Sequence, residues 1–193
     1  MLGTAAVAMW WDIAPQMQAE FEEWHTREHM PERLAIPGFL RGTRWISVSG
    51  EPRYFVLYEV TEAATLTGKA YLDRLNHPTP WSRRMMPHHR NMVRSLCRVR
   101  ASYGGLLGQA LAAIQLSAAP QALPARAGLA GAHLLESQPM PAAQTAEQKI
   151  RGADASTNWV LLVSGDDASA VDAAVGGGAA LYRPAHTLSP QGL

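Results

Sequence analysis

One cysteine, Cys97, is the whole thiol complement of this 193-residue chain, which excludes an internal disulfide and fits a reducing compartment. Lysine is nearly as scarce: of 17 basic residues only Lys69 and Lys149 are not arginine. Arginine favours bidentate anion contacts, although a compositional bias explains the excess equally well. Sixteen acidic residues balance the basic ones to a net charge of +1, so neither nucleic acid nor an anionic membrane is an expected partner. No phosphate-binding glycine loop, dinucleotide fingerprint or nucleophile elbow is present, which argues against nucleotide-dependent chemistry, and no cofactor is expected. The N-terminal stretch LGTAAVAMWW is too short to cross a bilayer and lacks the basic region of a signal peptide, so it reads as a strand and the protein as cytoplasmic.

What is there suits a globular protein able to bury a core, with 47% hydrophobic and 17% charged residues. The periodicities predict a strand over Ala5 to Ile13, a long helix entered through Pro15 and running to about Met30, and a hairpin of Phe39 to Val48 with Tyr54 to Val60. A second helix follows over Ala63 to Asn76, presenting Leu72 and Leu75 inward. A short helix capped by Thr79 and a strand over Asn91 to Tyr103 complete the series. The order β-α-β-β-α-β is that of a ferredoxin-like unit. Beyond the glycines at 104, 105 and 108 the order restarts more weakly, with strands at Gln109 to Leu116, Ala132 to Ser137, Trp159 to Ser164 and Ala179 to Pro184, and a helix near Asp167 to Val175. Pro31, Arg33 and Gly38 recur as Pro124, Arg126 and Gly131 at one offset, which suggests a repeat. The segment from Ser137 to Thr157 and the tail after Arg183 read as mobile loops. The fold expected is α+β: two tandem ferredoxin-like halves, 1–104 and 105–193, packed as a pseudo-dimer.

The chemistry concentrates in the first half. Residues 1–103 hold five of seven histidines and five of six tryptophans. At 100° per residue Met17, Phe21, Trp24 and Glu28 share one helix face, with His25 beside them and His29 further round, while Glu23 and Arg27 pair on the opposite face. A carboxylate on a core-facing stripe needs a partner or a proton, which makes Glu28 the first catalytic candidate. His25 and His29 are the other catalytic candidates, and two roles stay open for Glu28: proton exchange with a ligand in a cavity with His25 or His77 in reach, or structural pairing with Arg33 or Arg41. His25, Glu28 and His29 also spell H-x-x-E-H, the inverted zinc-protease pattern, which lacks an evident third ligand; no metal is assigned.

WHTREHMPERLAIPGFLRGTRW, with YFVLYEV and YLDRLNHPTPWSRRM after it, resembles the dimeric α+β barrel superfamily, in a branch related to EthD-type and antibiotic-biosynthesis-monooxygenase-type domains. The likeness covers residues 1–103. It implies two paired ferredoxin-like sheets with a ligand pocket between sheet and helices, in a superfamily that includes cofactor-independent monooxygenases, lactone isomerases, polyketide cyclases and haem-using enzymes. The expected partner is a small anionic or aromatic molecule, bound or transformed without nucleotide. A non-catalytic binding or oligomerisation module and a zinc hydrolase are the alternatives, and a homo-oligomer is expected.

Further ligand-binding candidates are Trp24, Arg33, Arg41, Tyr54, His77, Trp81 and Arg98. Trp81 could close over a ligand near the helix end at His77, where a protonated imidazole also suits the dipole. In RSLCRVR the face of Arg94, Arg98 and Arg100 either lines the barrel or protects an edge strand. Trp11, Trp45, Tyr54 and Tyr58 read as core, yet strand alternation would let some of them line a pocket for a planar ligand, and Cys97 reads as an inert core thiol.

Overall fold

The computed structural model describes every residue except Ser49, 140–143, Ala153 and Leu193. Eight strands, β1 (Ala5–Ile13), β2 (Phe39–Ser47), β3 (Tyr54–Val60), β4 (His89–Gly104), β5 (Ala110–Leu116), β6 (Leu129–Gln138), β7 (Trp159–Gly165) and β8 (Leu181–Leu188), close into a barrel in the order β1-β3-β2-β8-β5-β7-β6-β4. All eight pairings are antiparallel. Read in consecutive fours, the sheet runs β4-β1-β3-β2 and then β8-β5-β7-β6, the same relative order twice.

Alternation along the strands divides the side chains between two cores. Ala6, Ala8 and Trp10 of β1, Trp45 of β2, Phe55 and Leu57 of β3, Leu135 of β6 and Tyr182 of β8 fill the barrel interior. The opposite face of β1 and β3, carrying Val7, Trp11, Tyr54, Val56 and Tyr58, is covered from outside by helices. Burial of the large rings on both faces is a dominant stabilising contribution, on the order of 2 to 3 kcal/mol per fully buried large apolar side chain.

The helical cover includes α1 (Gln18–Trp24), a π-helical turn (His25–His29), α2 (Met30–Leu34), α3 (Lys69–Asn76) and α4 (Pro80–Met85). Thr79 caps α4 by accepting from the Ser82 N–H, as its position before Pro80 predicts. Several sequence expectations change. The second helix is a 3₁₀ turn at Ala63–Leu66 followed by α3, and Tyr71 with Leu75, not Leu72, is buried. The supposed loop from Ser137 to Thr157 contains α5 (Ala146–Arg151), opened by a capping box between Thr145 and Gln148, and also residues outside the described set. The tail after Arg183 continues β8 against β2 and ends in a 3₁₀ turn. The helix read near Asp167 to Val175 is α6 (Ala168–Ala174), capped by Asp167.

Among the described residues no helix is long and apolar enough to cross a membrane.

Candidate functional site

The stripe of Phe21 and Trp24 is buried as the 100° spacing predicts, but the spacing fails at the next turn. His25 to His29 adopt i→i+5 pairing, with the Met30 N–H bonded to the His25 carbonyl. Such single π turns are frequent at functional sites. The wider turn carries His25 into the core at 1% exposure and leaves Glu28 half-buried at the rim. The sheet supports this distortion. Arg44 of β2 donates to the Glu22 carbonyl (3.2 Å) and to Thr26 Oγ1 (3.2 Å), at the point where α register gives way. Beneath it, Gly42 lies opposite Tyr58; a Cβ there would stand 2.8 Å from the Tyr58 ring and 3.2 Å from Met30, so only glycine lets ring and helix approach this closely.

His25 is surrounded by rings. Phe21, Trp11 and His29 lie 5.4, 6.2 and 5.7 Å from it between centroids, and Trp24 packs on His29 at 4.4 Å. His89 of β4 meets Trp24, Phe21 and Trp11 on the far side. Tyr58 places its hydroxyl 3.5 Å from His25 Nε2, at the outer limit of a hydrogen bond. Burial, followed by the nearby guanidinium of Arg44, holds the His25 pKa well below the usual histidine value. Burial, then Arg33, does the same for His29. Burial also takes His89 down to about 3 and raises the Tyr58 phenol. At neutral pH this buried cluster therefore holds neutral imidazoles and a protonated phenol.

Its hydrogen bonding is incomplete. His25 Nδ1, His29 Nδ1, Trp11 Nε1 and Arg33 Nη1 are sealed from solvent without a partner among the described residues. Leaving a buried polar group unmatched costs about 1 to 3 kcal/mol, so a concentration of four is a feature that needs a reason.

Glu28 takes neither of its arginine pairings. Its Oε1 accepts from Trp24 Nε1 (3.1 Å) and Thr79 Oγ1 (2.6 Å), fixing the indole and joining the π turn to the start of α4. Arg33 is instead buried against Glu147 of α5, through Nη2 alone. Burial works against the Arg33 charge, but Glu147 and the surrounding phenols outweigh it and raise the pKa. Arg41 pairs with buried Glu59 (2.5 Å) at register-matched positions of β2 and β3, on the strand face that looks into the barrel.

Trp24, His25, Glu28, His29 and Arg33 thus come together. Tyr54 flanks them, its hydroxyl donating to Glu22 (2.8 Å). The other candidates lie apart. His77 is exposed, with Nδ1 2.7 Å from the Asp73 carbonyl, and Trp81 donates outward to Glu20 (3.1 Å). Arg98 is exposed at a surface groove of about 390 Å³ over Leu66 and Leu96. The basic strand serves neither purpose read for it: β4 has neighbours on both sides, Arg94 bonds the Tyr71 hydroxyl (2.8 Å), and Arg100 pairs with Glu136. Cys97 is buried, which pushes its thiol up to about 12. Tyr58, His89, Thr79 and Glu147 were not singled out as site residues; strand alternation was the available signal for Tyr58, and nothing local marks Glu147. For zinc, no group of three His, Cys, Asp or Glu among the described residues is placed to hold a metal ion.

No family model and no curated protein matches the chain. Among solved structures of similar fold are two. One is an anthrone oxidase-like protein, with a TM-score of 0.55 at 12% identity over 96% of this chain and 92% of that one. The other is a protein of Fusobacterium nucleatum subsp. nucleatum provisionally named a monooxygenase, with a TM-score of 0.55 at 9% identity over 100% and 98%. At these identities the likeness concerns the mixed α+β barrel fold.

Proposed function

We propose that the chain binds and transforms a small aromatic compound in the chamber between the first-half sheet and the π turn, by nucleotide-independent acid–base chemistry with His25 as base. The observation that carries this reading is the pair His25 and His29, each with a buried Nδ1 that has no partner among the described residues, on a distorted turn ringed by Trp11, Phe21, Trp24 and Tyr58. With Nε2–H directed to the Tyr58 oxygen, His25 Nδ1 presents a lone pair to a ligand's acidic O–H or activated C–H. An anion formed there pairs with the imidazolium it creates, which offsets the depressed basicity. Glu28 and Thr79 position Trp24 as a wall of the site. The names of the fold neighbours favour oxygenation as the overall reaction: a CH₂ group and dioxygen become a ketone and water, the first proton passing to His25 and returning to the leaving hydroxide.

The architecture belongs to the same proposal. Residues 1–104 and 105–193 form two ferredoxin-like halves that close the barrel within one chain as a pseudo-dimer, akin to EthD-type domains; the repeated strand order supports it. Oxygen uptake with anthrone and simple quinols tests the activity. Wild-type protein should consume oxygen and His25→Gln should not. Ligand binding with no turnover in either protein would assign the chamber to a binding module instead.

A further inference from the structure

Arg33 is a buried charged donor beside His29, and its ion pair is unusual in a specific way. A guanidinium is built to grip a carboxylate through two parallel N–H bonds. Glu147 takes only Nη2, while Nη1, equally buried, has no partner among the described residues. The carboxylate comes from α5, a six-residue helix of the opposite half of the chain, held to the first half by Asn76 Oδ1 accepting from the Ala146 N–H (3.0 Å) and by the packing of Ile150. Arg33 Nη1 and the Nδ1 atoms of His25 and His29 touch no solvent, so a ligand that meets them must displace something.

Resting on the chamber being the ligand site, we infer that Arg33 is the anion subsite of that chamber, that its ligand is a small aromatic carboxylate, and that Glu147 is a built-in occupant which the ligand displaces. An incoming carboxylate would make two bonds where Glu147 makes one, and its ring would lie among Trp24, Tyr58 and Tyr71. The lifted α5 would carry Glu147 into water, where a carboxylate needs no partner.

Binding of benzoate and of its neutral isostere benzamide, followed by tryptophan fluorescence and independently of turnover, tests this. Wild-type protein should bind benzoate more tightly than benzamide. Glu147→Gln, which keeps the shape but weakens the competitor, should tighten benzoate on the order of tenfold, about one charge-assisted contact's worth, and leave benzamide unchanged. Arg33→Met with Glu147→Leu removes both charges, so that neither is left buried alone, and should fold with no preference between the probes. Amide exchange over 145–151 should rise when benzoate binds. Absence of benzoate binding in both wild type and Glu147→Gln overturns the proposal. So does an unchanged or weaker benzoate affinity in Glu147→Gln, or a preference surviving in the double variant. A failed oxygen-uptake test with intact benzoate exchange would remove the catalytic reading alone, and the reverse result would remove the exchange alone.

Discussion

The two four-stranded parts of this barrel share a strand order and an interior, yet their outer faces differ in kind. The face of β1 and β3 carries Trp11, Tyr54 and Tyr58 under Phe21, Trp24 and Met30, and encloses neutral histidines and an ion pair. The face of β5 and β7 carries Ala110, Ala112, Leu161 and Val163 with Ala132 of β6, and its described cover includes the short helix α6, packed through Val171. Large rings need a long helical segment to bury them, and the space between such segments admits polar groups. Small side chains let a short helix lie close, with no room for any. Chemistry therefore separates onto one face of a nearly symmetric sheet.

That contrast can be broken by substitution. The largest stability effect is expected for Arg33→Met, which strands Glu147 in the core and should cost about 3 to 5 kcal/mol in urea denaturation, most of it recovered when Glu147→Leu is added. On the plain face, Val171→Ala should cost about 2 kcal/mol for lost methyl groups and the cavity left behind, with no second substitution able to restore it.

Acid sharpens the comparison further. His25, His29 and His89 all have folded-state pKa values pushed below the unfolded value by burial, that of His89 to about 3, whereas beyond residue 104 His133 is brought to about 4 and His186 is lowered as well. Below the unfolded pKa the unfolded chain binds these protons and the folded one does not, so stability falls as pH drops through the window from about 6.5 toward 3. His89, buried and neutral down to about pH 3, contributes a slope of about 1.4 kcal/mol per pH unit across that window, and His89→Gln should flatten the curve by that amount. An unchanged slope would mean that His89 is charged in the folded protein. The smallest effect is expected for Glu28→Gln: the amide oxygen can still accept from Trp24 and Thr79, so the loss should stay near or below about 1 kcal/mol in thermal melts.

How far the sequence discloses this follows the range of the forces. Alternation and turn residues specify β1, β3 and their two-sided burial, and Thr79 announces its own helix, because those signals are local. The 100° spacing places Phe21 and Trp24 but misplaces Glu28 and His25, since the π turn is stabilised by Arg44 and accommodated by Gly42 across the sheet rather than by its own residues. Arg33 is legible as a residue to pair with a carboxylate or bind a ligand. Its partner lies 114 residues away in a segment whose polar composition reads as loop, because the capping box at Thr145 forms a helix too short for periodicity to register.

The central claim is that acid–base chemistry resides at His25 and that the buried histidine of β6, His133, is structural, its Nδ1 held 2.7 Å from Ser102 Oγ. Oxygen uptake with anthrone, measured side by side for His25→Gln and His133→Gln at matched folded concentration, tests it most directly. The account expects at least about a 100-fold loss in the first and a change within about twofold in the second, the range general-base removal produces against a bystander. Equal rates in the two variants, or a loss confined to His133→Gln, would contradict it.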